Sequence, residues 1–151
     1  MGYLYQLEDM AKRAGVDLRY VADKFDAAWR VAPDGAKTYS QADAYLHADF
    51  VTYPSLVERF GNALLETIYF RLPALVNRYP VYTADIGPLG FNFVEIEGEV
   101  TDEAVARVRR LLDDARERQV MVEHNFALAL EHFSYSVAAK RLQEIMATLA
   151  L

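Results

Sequence analysis

Glu58 and Glu66 stand eight positions apart, with Phe60, Gly61, Asn62 and Ala63 between them, and this is the spacing in the chain best suited to chemistry. Gly61 allows a backbone to approach a ligand closely. A helix that starts directly after it has unpaired first amides and the positive end of its dipole, so an anion such as a diphosphate is a natural occupant. Glu66 falls about one turn into that helix on the face of Asn62, and helical side chains lean toward the N-terminus, so its carboxylate reaches back beside the anion. A carboxylate accepts from two vicinal hydroxyls at once, as a ribose presents them. Glu58 precedes the glycine turn, on the other side of the anion, where it would hold hydroxyls of a second sugar. Two glutamates at arbitrary positions are usually just solvated. Between Asn62 and Phe70, however, Glu66 is the only charged residue, and a carboxylate in a mostly apolar helix is costly without a partner.

The elements that must position these residues are legible from period and punctuation. Tyr3, Leu4, Leu7, Met10, Ala11 and Ala14 recur at helical spacing and Gly15 stops the helix. Leu18 to Ala22 reads as a short strand, and Asp23 to Thr38, with Trp29, Pro33, Asp34 and Gly35, reads as loop. Ser40 and Asp43 have capping-box spacing at the start of a short helix. Phe50 to Tyr53 is a strand ended by Pro54, Asn62 to Phe70 a helix, and Ala74 to Asn77 a strand after Pro73. Arg78 to Gly90 is rich in turn residues, and Phe91 to Ile96 is a further strand. Thr101 caps a helix whose inward stripe is Val105, Val108, Leu111, Leu112 and Ala115, with Asp102 and Glu103 at its positive end. Val120 to Leu130 continues as helix, and Ser134 caps a last helix with Ala138, Leu142, Ile145 and Leu149 inward. Strands alternating with helices, followed by helices alone, predict one α/β domain over 1–151, a Rossmann-like parallel sheet with helices on both faces and a helical C-terminal tail. In such sheets ligands bind beyond the carboxyl ends of the strands, where the segment around Glu58 and Glu66 falls.

Composition narrows the function classes. The 151 residues carry a net charge of −6, which argues against a general nucleic-acid binder while leaving room for one phosphate site built of amides. Cysteine is absent, which rules out disulfides and thiolate metal sites. No apolar run approaches the roughly 20 residues that span a bilayer, and Met1 to Asp9 lacks the order of a signal peptide, so a cytoplasmic protein with no transmembrane segment is expected.

The stretch from Ala48-Asp49-Phe50 to Glu66 resembles the glutamate–seven residues–glutamate motif of family 4 retaining glycosyltransferases, which have the GT-B fold. The resemblance continues through Arg71-Leu72-Pro73-Ala74-Leu75-Val76 and the helical tail. It implies that Glu58 contacts donor-sugar hydroxyls at the reacting end and serves as the catalytic residue. By the same resemblance Glu66 holds the nucleotide ribose, and the backbone around Phe60, Gly61, Asn62 and Ala63 meets the sugar and diphosphate. The implied substrate is a nucleoside-diphosphate hexose, with no metal or other cofactor. The family commonly has glycine where this chain has Arg59. The strand and helix that open a complete donor domain have no counterpart here, nor does the N-terminal acceptor-binding domain, so the expectation is a partial donor-binding domain of a longer enzyme. A non-catalytic nucleotide-sugar-binding or regulatory module is the alternative, and a helical interaction protein a weaker one.

Other candidates are weaker. His47, His124 and His132 lack metal-ligand spacing, and Asp113-Asp114 reads as the polar face of a helix. Arg78, Tyr79, Tyr82 and Asp85 cluster after a strand, at the binding edge. Ala22 to Lys24 follows the first expected strand, where such folds often meet the nucleotide base.

Overall fold

The computed structural model describes residues 2–26, 30–31 and 35–149. They divide into two compact units, Met1–Ala44 and Tyr45–Leu151.

In the first unit, helix α1 (Tyr3–Ala14) ends where expected. Gly15 takes a left-handed φ of 68°, and the Val16 amide closes the turn on the Ala11 carbonyl at 2.9 Å. The strand expected at Leu18 to Ala22 does not form. That segment has no ladder partner among the described residues, its large apolar side chains stay in water (Tyr20 is 64% exposed), and Ala22–Lys24 is a single 3-10 turn. β-prone residues make a strand only against a neighbour. Within the stretch expected as loop, β1 (Arg30–Val31) and β2 (Lys37–Thr38) pair antiparallel; Trp29, Pro33 and Asp34 lie outside the described residues. The capping box is realised: the Ser40 amide donates to Asp43 Oδ2 at 2.7 Å and the Asp43 amide to Ser40 Oγ at 3.3 Å, opening α2 (Gln41–Leu46).

The second unit is built on a parallel sheet. Strands β3 (Val51–Tyr53), β4 (Ala74–Asn77) and β5 (Val94–Ile96) lie in sequence order, with Thr52 beside Leu75 and Val76 beside Glu95. Helix α3 (Asn62–Tyr69) connects the first two. Strand alternation sorts the core. Ala74 and Val76 face Leu64 and Ile68 of α3, together with Tyr79, Tyr82, Ile86 and Phe93. Leu75, Val94 and Ile96 face the other way, onto Ala104 and Leu111 of α4 (Asp102–Asp113) and Met121 of α5 (Ala115–Phe133). Helices therefore cover both faces, as the sequence predicts. Between β4 and β5 the turn-rich stretch winds into a π-helical turn, Tyr82–Ile86, and a 3-10 turn, Gly87–Leu89.

The helical end departs from expectation in three places. Thr101 caps α4, its Oγ1 accepting from the Ala104 amide at 3.2 Å, but Val105 and Leu112 are exposed and the inward residues are Ala104, Val108 and Leu111. Asp113-Asp114 is not an uninterrupted helix face. Asp114 leaves helical geometry and caps α5, its carboxylate accepting from the Arg116 and Glu117 amides, each at 2.9 Å. The last helix, α6 (Tyr135–Leu149), starts at Ser134 as expected, yet Leu142, Ile145 and Leu149 are exposed rather than inward, Leu149 to 80%. Its period makes a helix; no described element covers that stripe. No described helix is long and apolar enough to cross a membrane.

Candidate functional site

The candidate site is built at the carboxyl edge of the sheet, where the loop from β3 to α3 carries Glu58. Four side chains fix that loop. The Tyr53 hydroxyl, on the last residue of β3, lies beside the half-buried Glu58 carboxylate; burial first, and then this carboxylate, drive the phenol well above its usual pKa. Asn77, the last residue of β4, is 4% exposed. Its Nδ2 donates to the Ser55 carbonyl at 3.0 Å and its Oδ1 accepts from the Gly98 amide at 2.7 Å, so one buried amide ties the loop after β3 to the loop after β5. The fully buried Tyr79 donates its hydroxyl to the Phe60 carbonyl at 3.1 Å. Burial, and after it the charge of Glu58, push this phenol up to about 12. Phe60 sets its ring edge-on to Phe133, with centroids 5.3 Å apart.

Gly61 starts α3 at a φ of 92°, and a Cβ there would collide with the Tyr79 hydroxyl. Glycine is thus required by conformation and by space. No described side chain caps α3, leaving the amides of Asn62 and Ala63 at the positive end of the helix dipole. Asn62 is exposed and Ala63 half-buried. Arg59, exposed in the loop, needs no glycine geometry, since Arg71 is the described non-glycine residue with a positive φ.

Glu66 lies one turn into α3 and is half-exposed. Tyr45 donates to its Oε2 at 3.1 Å, and the Tyr45 ring stacks on Phe70 with centroids 5.0 Å apart. This corrects one premise of the sequence reading. Glu66 is neither fully buried nor out of place without a ligand, because a protein hydroxyl already meets it.

The other sequence candidates resolve differently. Tyr79 and Tyr82 point into the core, and Tyr82 donates to Glu95 Oε1 at 2.6 Å. Asp85 and Arg78 are exposed, with the Arg78 guanidinium 3.7 Å from Glu95. His124 uses Nε2 on the Gly90 carbonyl, 2.8 Å away. Ala22–Lys24 belongs to the other unit and follows no strand. A polar cleft of about 370 Å³ runs along β5 and α4, lined by Glu95, Thr101 and Glu103 among others. It lies apart from both glutamates, and its Arg107 is committed to the Phe93 carbonyl and the Asn92 side chain, so it adds no chemistry to the site. Sequence reasoning missed Tyr45, Tyr53 and Asn77. Asn77 had a readable signal, an amide closing a run of apolar residues at the binding end of a strand.

Comparison with known proteins finds the chain similar to two curated proteins of one name. Over 161 aligned residues it is 30% identical to mannosylglucosylglycerate synthase of Thermotoga maritima, covering 95% of this chain and 34% of that protein. It is 38% identical over 94 residues to mannosylglucosylglycerate synthase of Petrotoga mobilis, covering 62% of this chain and 21% of that protein. The chain thus spans about a third or less of the curated relatives it matches. No protein-family profile matches it.

Proposed function

We propose that the chain is the donor-binding part of a retaining glycosyltransferase that moves a hexose from a nucleoside-diphosphate sugar to an acceptor. The observation that carries this reading is the uncapped start of α3 at Gly61, with Glu58 held on one side and Glu66 on the other. The similarity to mannosylglucosylglycerate synthases over most of the chain supports it and points to a glycoside product containing mannose, glucose and glycerate.

The diphosphate sits on the amides of Asn62 and Ala63. Negative charge that develops on it as the glycosidic bond breaks is met by fixed amides and the helix dipole. Glu66 accepts from the ribose hydroxyls, and Tyr45 orients its carboxylate. Glu58 accepts from hexose hydroxyls and orients the sugar rather than attacking it. The acceptor is held by parts of a longer enzyme, so this chain alone transfers little.

Calorimetric titration with UDP, GDP and ADP tests the reading. One of them binds, and Glu66→Ala weakens it about tenfold, the loss of a pair of charge-assisted hydrogen bonds. A folded chain that binds none of the three, or binds one equally well as Glu66→Ala, sinks the proposal.

A further inference from the structure

Two buried side chains at the end of β4 hold the two ends of the Glu58 loop. Asn77 takes the Ser55 carbonyl at 3.0 Å, and Tyr79, two residues on, takes the Phe60 carbonyl at 3.1 Å. Glu58 lies on the span between these anchors, and Gly61 follows directly under the Tyr79 hydroxyl. Asn77 is 4% exposed and Tyr79 fully buried, so neither donor is free to exchange its partner for water. A buried donor aimed at a loop carbonyl fixes the backbone far better than a solvated one.

We infer that Asn77 and Tyr79 are positioning residues of the nucleotide-sugar site: they hold the loop so that Glu58 and the first amides of α3 keep a fixed separation across the bound sugar diphosphate. This rests on the proposed donor site and adds to it which residues preorganise that site. Neither side chain touches the ligand. Their effect passes through the Ser55 and Phe60 carbonyls, and it is felt by the sugar through Glu58.

The molecule supplies its own control. Tyr82 is as deeply buried as Tyr79 and donates to Glu95 instead of to the loop. Tyr79→Phe and Tyr82→Phe each delete one buried hydroxyl bond and keep the ring. Titration of the chain with a nucleoside diphosphate and with its hexose conjugate, for UDP, GDP and ADP, separates structural from positioning roles. Tyr79→Phe weakens the conjugate about five- to tenfold, the size of one lost hydrogen bond, while Tyr82→Phe stays within about twofold of wild type. In a Glu58→Ala background the added effect of Tyr79→Phe on the conjugate shrinks toward nothing, because the residue it positions is gone. NMR order parameters over residues 55–61 fall in Tyr79→Phe and in Asn77→Ala, and this readout needs no ligand.

Wild-type binding that Tyr79→Phe leaves unchanged overturns the inference alone, as does an effect that persists undiminished without Glu58. A wild-type chain that binds no nucleotide overturns the donor-site reading and this inference with it. Unchanged order parameters over residues 55–61 in both variants overturn the inference whatever the binding shows.

Discussion

Helices α1 and α3 both carry apolar residues at helical spacing, and they differ in what lies behind them. No described residue of α1 is buried, whereas α3 buries Leu64, Thr67 and Ile68 against β4 and the tyrosine-rich turn that follows it. The contrast extends to their units: among the described residues, all the buried core residues belong to the second. Period and caps are enough to make a helix, while burial needs a partner brought from elsewhere in the chain. The first unit is shaped mainly by local bonds, Gly15 and the Ser40–Asp43 box among them. The second is shaped by long-range pairing, which also ties down the loop that carries Glu58.

The sharpest way to break this comparison is to truncate both helices. Leu64→Ala or Ile68→Ala should cost about 2–5 kcal/mol in urea melts, and Leu4→Ala or Met10→Ala less than about 0.5 kcal/mol. Equal losses would mean that α1 is covered in solution. The next test sets two glycines against each other. Gly61→Ala adds a strained φ, about 1–2 kcal/mol, to a collision with the Tyr79 hydroxyl worth about 1–3 kcal/mol. Gly15→Ala has open space around it and should show the backbone cost alone. Gly61→Ala should also abolish nucleotide binding, measured by the same calorimetry.

The smallest effect is in pH. Asp17 in the first unit and Asp114 in the second both have their carboxyls held below the ordinary value of 3.8, Asp17 by its bond to Arg19 and Asp114 chiefly by the Glu117 amide. A depressed folded pKa means that the unfolded chain takes the proton first. The stabilisation is therefore complete above the ordinary value and is lost as pH falls through the lower one. Side-chain NMR titration at low and at molar salt distinguishes the two. Salt should return Asp17 toward its ordinary value, because its partner is an exposed charge. Asp114, held first by backbone amides, should move less.

The sequence revealed the elements that neighbouring residues mark: α1 by its glycine stop, α2 by the capping box at Ser40, α3 by Gly61 and β4 by its apolar run between Pro73 and Arg78. It misled where formation or burial depends on distant residues. Leu18 to Ala22 has strand composition and no strand to join, and the stripe of α6 has helical period and no described surface to meet. The break at Asp114 was legible only as an acidic pair, because an aspartate inside a helix and one capping the next differ in backbone angles rather than in type. At the site, the glutamate pair and glycine were readable from spacing. Tyr45, Tyr53, Asn77 and Tyr79 come to it from elements separated in sequence, and that convergence belongs to the parallel sheet.

Helix α5 gives Met121 to the cluster on one face of the sheet, while Phe126 and Phe133 pack against the cluster on the other. One rigid rod thus shares its fate with both sides. The two clusters should melt in a single transition, with slowly exchanging amides in α3, α4 and α5 reporting one opening equilibrium. The ring of Phe133 meets Phe60 at the end of the Glu58 loop, so this same equilibrium sets an upper limit on the fraction of molecules in which that loop stays anchored.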